Sequence, residues 1–340
     1  MNQKTEPAGS WPSVEEAESS PTGMATADQP HAGAVGPSAA RLQDLLVKTS
    51  RTFALSIPVL PEPTRREVTV AYLLFRIADT LEDATLWPRS TQLSELKELG
   101  RLLQQPEQVE ALELAERWLA RPPVDHAGYM ELLAQLPTVI EAYLHLSPAA
   151  RAEIGKHLTR TIDGMASFVA QMDQNRNLQL RDRQALQAYC YAVAGIVGEM
   201  LTELFLLDRP NLKPAAPSLR ADAARFGEAL QLVNILKDSA SDAREGRCYL
   251  PLEDSRADVL ELARDDLRTA GRYVSLLHAR QAPRGVVAFT ALPVLLAWAS
   301  LERVEQSGAG AKLTRLEVAG LAQRLDDALN RGNIDELWAG

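Results

Sequence analysis

Apolar residues recur every three or four positions from Leu42 almost to the end of this 340-residue chain, and strand-like alternation is scarce. That period matches the 3.6-residue turn of an α-helix, so the apolar surface is buried by setting helix against helix. Proline supplies the punctuation: "PEP", "RPP", "LSP", "DRPNLKPAAP" and "QAP" each interrupt the helical ladder. The pattern predicts helices over 64–84, 91–119 with a break near Pro106, 127–147, 148–172, 182–207, 218–243, 255–280, 284–304 and 313–331. No internal repeat is visible. The expectation is an all-α fold.

Residues 1–38 differ in composition, being rich in Pro, Ser, Ala and Gly with almost no large aliphatic side chains. Such a stretch buries too little apolar surface to offset its ordering entropy, so it is expected to be a disordered tail before a single helical domain at 39–340. No basic start leads into an apolar core, so a signal peptide is not expected. A net charge of -9 argues against nucleic acid as a partner, because phosphate backbones select basic surfaces. Cys190 and Cys248 stand far apart, which suits free thiols in a reducing cytoplasm. The uncharged run "GVVAFTALPVLLAWASL", 285–301, falls just short of the roughly 20 residues a membrane span needs, with Pro293 in its middle. It reads as a core helix, and no other segment comes close to a span. Peripheral contact with the inner face of a membrane, for product release, stays open. The pattern specifies no oligomeric state.

Chemistry concentrates on two helices. In "AYLLFRIADTLEDA", Tyr72, Arg76, Asp79 and Asp83 are spaced four, three and four apart, with Glu82 at the edge of their stripe. Val68, Leu74, Ile77, Ala78 and Leu81 make the rest of this helix apolar, so the polar stripe should face an internal cavity. In "QLVNILKDSASDAREGRCYLP", Gln231, Asn234, Asp238 and Asp242 form a second stripe, ending in a basic, glycine-containing turn. One DxxxD alone is commonly a solvated acidic face. Two of them on apolar helices suit a magnesium cluster, because magnesium takes oxygen ligands and shares its shell with substrate phosphates. Such a cluster would ionise an allylic diphosphate while the apolar bundle keeps water from the carbocation.

With these motifs in view, the chain resembles the squalene/phytoene synthases, the head-to-head prenyl transferases, over nearly all of residues 42–305. The matching stretches are "SRTFALSIPVLP", "AYLLFRIADTLEDA", "YCYAVAGIVGEMLTELF", "QLVNILKDSASDAREGRCYLP" and, more loosely, "FTALPVLLAWASL". "SRTFAL" and "DTLED" look more like squalene synthases than plant-type phytoene synthases. The resemblance implies an all-α isoprenoid synthase fold, one large bundle around a central cavity. Asp79 and Asp83, with Glu82 between them, match the first metal motif, and Asp238 and Asp242 match the second. Ser50, Arg51 and Thr52 match a diphosphate-binding flap, although a helix cap explains "SRT" equally well.

By the same resemblance, Arg76 would neutralise diphosphate, the alternative being an ion pair with Asp79 or Asp83. Tyr72 would add a hydroxyl near the phosphate, unless it is a core tyrosine. Tyr189 would accept a proton or stabilise a cation by its π face. Ala194 and Gly198 would give room to an isoprenoid chain or let helices approach closely, and Phe53, Val193, Val197, Leu201, Phe289 and Pro293 would extend the tunnel wall. Gln231, Asn234 and Lys237 are assigned to substrate binding. Two positions depart from the family pattern. Ser241 stands where a Glu is usual, and Lys237 replaces an arginine, keeping the charge but losing the planar fork.

The implied reaction joins two farnesyl diphosphates 1′ to 1 through presqualene diphosphate, giving squalene with NADPH as hydride donor. Phytoene from C20 substrates and dehydrosqualene without reductant are the alternatives within the class. A terpene cyclase and a non-catalytic assembly or binding protein are those outside it. The five histidines (31, 126, 145, 157 and 278) lack metal-ligand spacing, so zinc is not expected. "GAGA" at 308–311 is too short for a dinucleotide loop. A chain starting at Ala39 should fold and turn over as the full chain does. Loss of initial rate with unchanged helicity by circular dichroism would assign the tail a role.

Overall fold

The computed structural model describes residues 39–50, 53–207 and 209–338. The expected disordered tail, 1–38, and two of the flap residues, Arg51 and Thr52, lie outside them. Fourteen α-helices account for most of the described chain. They are α1 Ala39–Thr49, α2 Phe53–Ser56, α3 Thr64–Glu82, α4 Arg89–Gln104, α5 Gln108–Ala120, α6 Ala127–Ala134 and α7 Leu136–Leu144, followed by α8 Pro148–Gln171, α9 Arg183–Cys190, α10 Ile196–Leu207, α11 Ala216–Arg244, α12 Arg256–Ala279, α13 Arg284–Ser307 and α14 Arg315–Arg331. A π-helical turn, Tyr191–Gly195, joins α9 to α10 in one continuous rod.

Local chemistry explains the boundaries. Ser255 with Asp258, and Thr314 with Glu317, form reciprocal capping boxes that satisfy free N–H groups at the starts of α12 and α14. Ser147 caps α8 ahead of Pro148, whose missing N–H costs nothing at the first helical position. The stretch predicted as one helix over 127–147 is two, because Pro137 cannot donate into a continuous ladder and α7 begins anew at Leu136. The prediction also lacked α1 as a separate helix and a parallel pair of two-residue strands, β1 Leu178–Gln179 and β2 Arg247–Cys248.

Helix α3 runs through the core, with Leu73, Leu74, Ile77, Ala78 and Leu81 fully buried. It touches α1, α4, α6, α7, α8 and α10, while α11 is clasped by α10, α12 and α13. One expectation needs correction. Besides Arg284–Ser307, the rod Arg183–Leu207 is also long and apolar enough to cross a membrane. The π-turn keeps the rod continuous through Gly195, so two shorter apolar segments add up to one. Both rods are core elements here, with 67% and 61% of their most apolar stretches buried inside the bundle.

Helices α10 and α11 cross at unusually close range. A Cβ built on Gly198 would stand 2.0 Å from the Ala223 carbonyl oxygen, and one on Gly227 would stand 2.0 Å from that of Ala194. Both neighbours are helix backbone, so neither yields easily. Gly227→Ala should therefore destabilise the fold by about 1–3 kcal/mol. Gly320→Ala, whose Cβ meets nothing within 4 Å in α14, should be neutral or stabilising by up to about 1 kcal/mol. Thermal or urea melts of the two variants test the contrast.

Candidate active site

The two acidic stripes meet across one polar chamber of about 390 Å³ between α3 and α11. Asp79, Glu82 and Asp83 line it from α3, and Asp238 and Asp242 from α11. Tyr189, Arg247 and Tyr249 complete its polar wall. Beside it lies an apolar cavity of about 230 Å³ lined by Phe53, Tyr72, Val193, Ala194, Val197, Gly198, Leu201, Phe289 and Pro293, among others. Arg76, Asp79, Val193, Gln231 and Asn234 belong to both walls, so the two spaces adjoin. The residues expected to form a tunnel therefore do line one cavity. Ala194 and Gly198 line this cavity and also stand at the close helix crossing.

Burial first, and like-charge crowding second, set the electrostatics of the chamber's carboxyls. Burial pushes the Asp79 carboxyl up to about 6, with Arg76 opposing the rise and Asp83 adding to it. Asp79 still keeps 32% side-chain exposure, so water in the chamber tempers the effect. Burial likewise raises Asp242 to about 6, with Asp238 as the main charged contributor. Glu82 is held well above the usual carboxylate range by burial, then by Asp83 and Asp79. Two arginines answer part of this charge. Arg76 Nη1 lies 3.3 Å from Asp79 Oδ2, and Arg247 Nη1 lies 2.6 Å from Asp83 Oδ1. Burial works against both guanidinium charges, but the facing carboxylates and tyrosine hydroxyls together outweigh it and raise them.

The donor set fits magnesium. It is all oxygen and carries excess negative charge. Among the described residues no group of three or more His, Cys, Asp or Glu side chains is placed to hold a metal ion by itself. A cation here would take one or two carboxylates and fill its shell with water and substrate oxygens, as magnesium does in phosphate-transfer sites.

Other expected site residues resolve differently. Ser50 Oγ accepts the Phe53 N–H at 2.9 Å, at the start of α2. Tyr72 donates its hydroxyl to the Thr49 carbonyl at 3.0 Å and accepts from Arg76 Nε at 3.3 Å. The Arg76 guanidinium also lies over the rings of Tyr72 and Tyr129, at 5.6 and 5.7 Å. Lys237 lies outside both walls, its ammonium held by Asn234 at 3.0 Å and Asp238 at 3.2 Å. Ser241, at the departed Glu position, turns its hydroxyl onto the Asp238 carbonyl at 2.7 Å. "GAGA" follows α13 rather than a strand, and Gly310 N donates to the Lys237 carbonyl at 2.7 Å.

Two chamber residues escaped sequence reasoning. Arg247 and Tyr249 were visible only as part of a basic turn. Parallel pairing of Leu178 with Arg247 and Gln179 with Cys248 brings them to the chamber. Tyr249 stacks on Tyr189 with ring centroids 4.5 Å apart and hydroxyls 3.0 Å apart. Burial raises both phenols, with Glu82 adding to the rise.

An all-α bundle of this kind, with paired acidic helices over an apolar cavity, is an isoprenoid synthase fold. Residues 46–259 match the squalene/phytoene synthase family model, and the chain belongs to that family. It is 30% identical over 216 residues to the squalene synthase of Schizosaccharomyces pombe, covering 63% of this chain and 44% of the relative. It is 28% identical over 240 residues to that of Eremothecium gossypii, covering 68% and 51%. The chain thus spans about half the length of these curated relatives. Among solved structures it is similar to TcSQS in complex with the ligand BPH1237, at 26% identity and a TM-score of 0.69, covering 84% of this chain and 85% of that one. TcSQS with the ligand E5700 gives 25% and 0.66.

The raised carboxyls have a thermodynamic consequence. Between the ordinary Asp value of 3.8 and about 6, the metal-free folded chain retains protons that the unfolded chain releases. Stability from Asp79 and Asp242 therefore falls as pH rises through that window. Asp79→Asn and Asp242→Asn, melted in chelator, should match or exceed wild type at about pH 7 and converge with it near about pH 4. Earlier melting of the variants at the higher pH would make these carboxylates structural partners of Arg76 and Arg247 instead.

Proposed function

We propose that the chain joins two isoprenoid diphosphates head to head, with magnesium bound by Asp79, Asp83, Asp238 and Asp242 and with farnesyl diphosphate as the favoured substrate. One observation carries this reading: a chamber of crowded carboxylates and arginines adjoins an apolar cavity through Arg76, Asp79, Val193, Gln231 and Asn234. A diphosphate in the first and its hydrocarbon tail in the second would meet the chemistry each needs. The names of the relatives and of the solved structures support the same class.

Bound magnesium would supply Lewis-acid charge to the departing diphosphate. The chain's own part begins with Arg76 and Arg247, whose guanidinium groups donate hydrogen bonds to phosphate oxygens. Both now face carboxylates, so cations arriving at Asp79 and Asp83 would free them for phosphate. As the C–O bond breaks, its electron pair leaves with the diphosphate, and the allylic cation remains beside apolar walls that exclude water. The double bond of the second substrate attacks that cation, and loss of a proton closes the cyclopropane of presqualene diphosphate. Tyr189, buried and stacked on Tyr249, lies on the chamber wall. Its π face would stabilise the cation there. Loss of the second diphosphate, rearrangement that opens the cyclopropane, and hydride from NADPH would give squalene.

The test is one incubation series. Purified protein with magnesium and C15 or C20 diphosphate, with and without NADPH, is read by mass spectrometry. Squalene from C15 substrate with NADPH is expected, and Asp79→Asn or Asp238→Asn should slow the reaction by about 10²–10³-fold. Phytoene or dehydrosqualene would move the product assignment. Intact magnesium–pyrophosphate binding with no turnover of either substrate would favour a non-catalytic binding protein.

A further inference from the structure

The loop between α8 and β1 contains a feature that the reaction above does not use. Arg176 adopts a left-handed backbone, φ 66°, which a non-glycine residue holds only when its surroundings demand it. Asp173 builds the turn by accepting the N–H groups of Asn175 and Asn177, each at 2.8 Å. The turn delivers the Arg176 guanidinium to backbone rather than to a carboxylate. Nη2 donates to the Ala84 carbonyl at 2.8 Å, and Nη1 donates to those of Trp87 and, at 3.4 Å, Thr85. These carbonyls belong to the turn that directly follows Asp83.

The other side of the same loop is tied to β2. Leu178 N donates to the Gly246 carbonyl at 2.8 Å, and Leu180 N donates to that of Cys248 at 3.1 Å. Between these bonds sits Arg247, which pairs with Asp83 at 2.6 Å. Gly246 is left-handed too, at φ 80°, and a Cβ there would stand 2.3 Å from Asn177 Oδ1. The loop thus bridges the end of the first acidic motif and the strand that carries the chamber arginine.

We propose that Arg176 is a positioning residue that fixes Asp83 and Arg247 relative to each other, so that Arg247 stays in reach of diphosphate when a cation takes Asp83. This rests on the reading of the chamber as a magnesium–diphosphate site. Arg176 touches neither substrate nor metal in this role. It acts by holding the carbonyls of residues 84–87 against the loop whose far side pairs with β2.

The experiment uses the full chain and the variants Arg176→Ala and Arg176→Lys, with inorganic pyrophosphate plus magnesium as the calorimetric probe and steady-state kinetics alongside. Arg176→Ala should weaken pyrophosphate binding and raise KM by about tenfold, with kcat changing less, as for residues that orient a metal site from behind. Arg176→Lys keeps a charged donor for the same carbonyls and should restore most of the loss. Alanine binding pyrophosphate as tightly as wild type overturns the inference while leaving the site reading intact. Equal falls in kcat and affinity without rescue by lysine in a folded protein overturn it as well. Failure of wild type itself to bind the probe overturns the site reading, and this inference with it.

Discussion

Carboxylates repel one another most strongly where water is scarce, and the bundle holds Asp79, Glu82, Asp83, Asp238 and Asp242 around a single chamber. The fold accepts that repulsion because the helices bearing these groups are anchored elsewhere. Helix α3 is fixed by Leu73, Leu74, Ile77, Ala78 and Leu81, all fully buried on its other faces. Helix α11 is fixed by glycine-mediated contact with the rod ending in α10. Apolar packing thus holds in place a polar arrangement that would not assemble by itself.

The cations present are too few to relieve the strain. Arg76 and Arg247 each meet one aspartate, and Asp79, Asp242 and Glu82 remain above their ordinary range. On the proposed reading, divalent cations and the diphosphate oxygens they carry would answer that charge. In that reading the same arginines, now partners of carboxylates, would become donors for phosphate. The proposed function and stability would then be opposed in these residues.

Apolar character is used in two ways in the molecule. In α13 and in the α9–α10 rod it supplies length enough for a membrane span, yet most of that surface is spent inside the bundle. Part of it lines the cavity through Val193, Val197, Phe289 and Pro293. Core and cavity wall share the same residue types, so composition by itself does not separate them. Only the presence of an internal space does.

Much of this was legible in the sequence. The 3.6-residue period and the prolines specified nearly every helix, because both act through local backbone geometry. The acidic stripes were equally plain: spacings of three and four place side chains on one face whatever surrounds the helix. What lay beyond the sequence depended on partners distant along the chain. Arg247 and Tyr249 reach the chamber through a two-residue pairing with Leu178 and Gln179, too short to leave a periodic signal. Ser50 Oγ meets the Phe53 N–H and Lys237 meets Asn234 and Asp238, partners selected by proximity in space. The sequence by itself determined the helices and the faces they present. Tertiary structure decided which faces meet, because that depends on close approach of backbones at Gly198 and Gly227 and on loops that bring remote charges together.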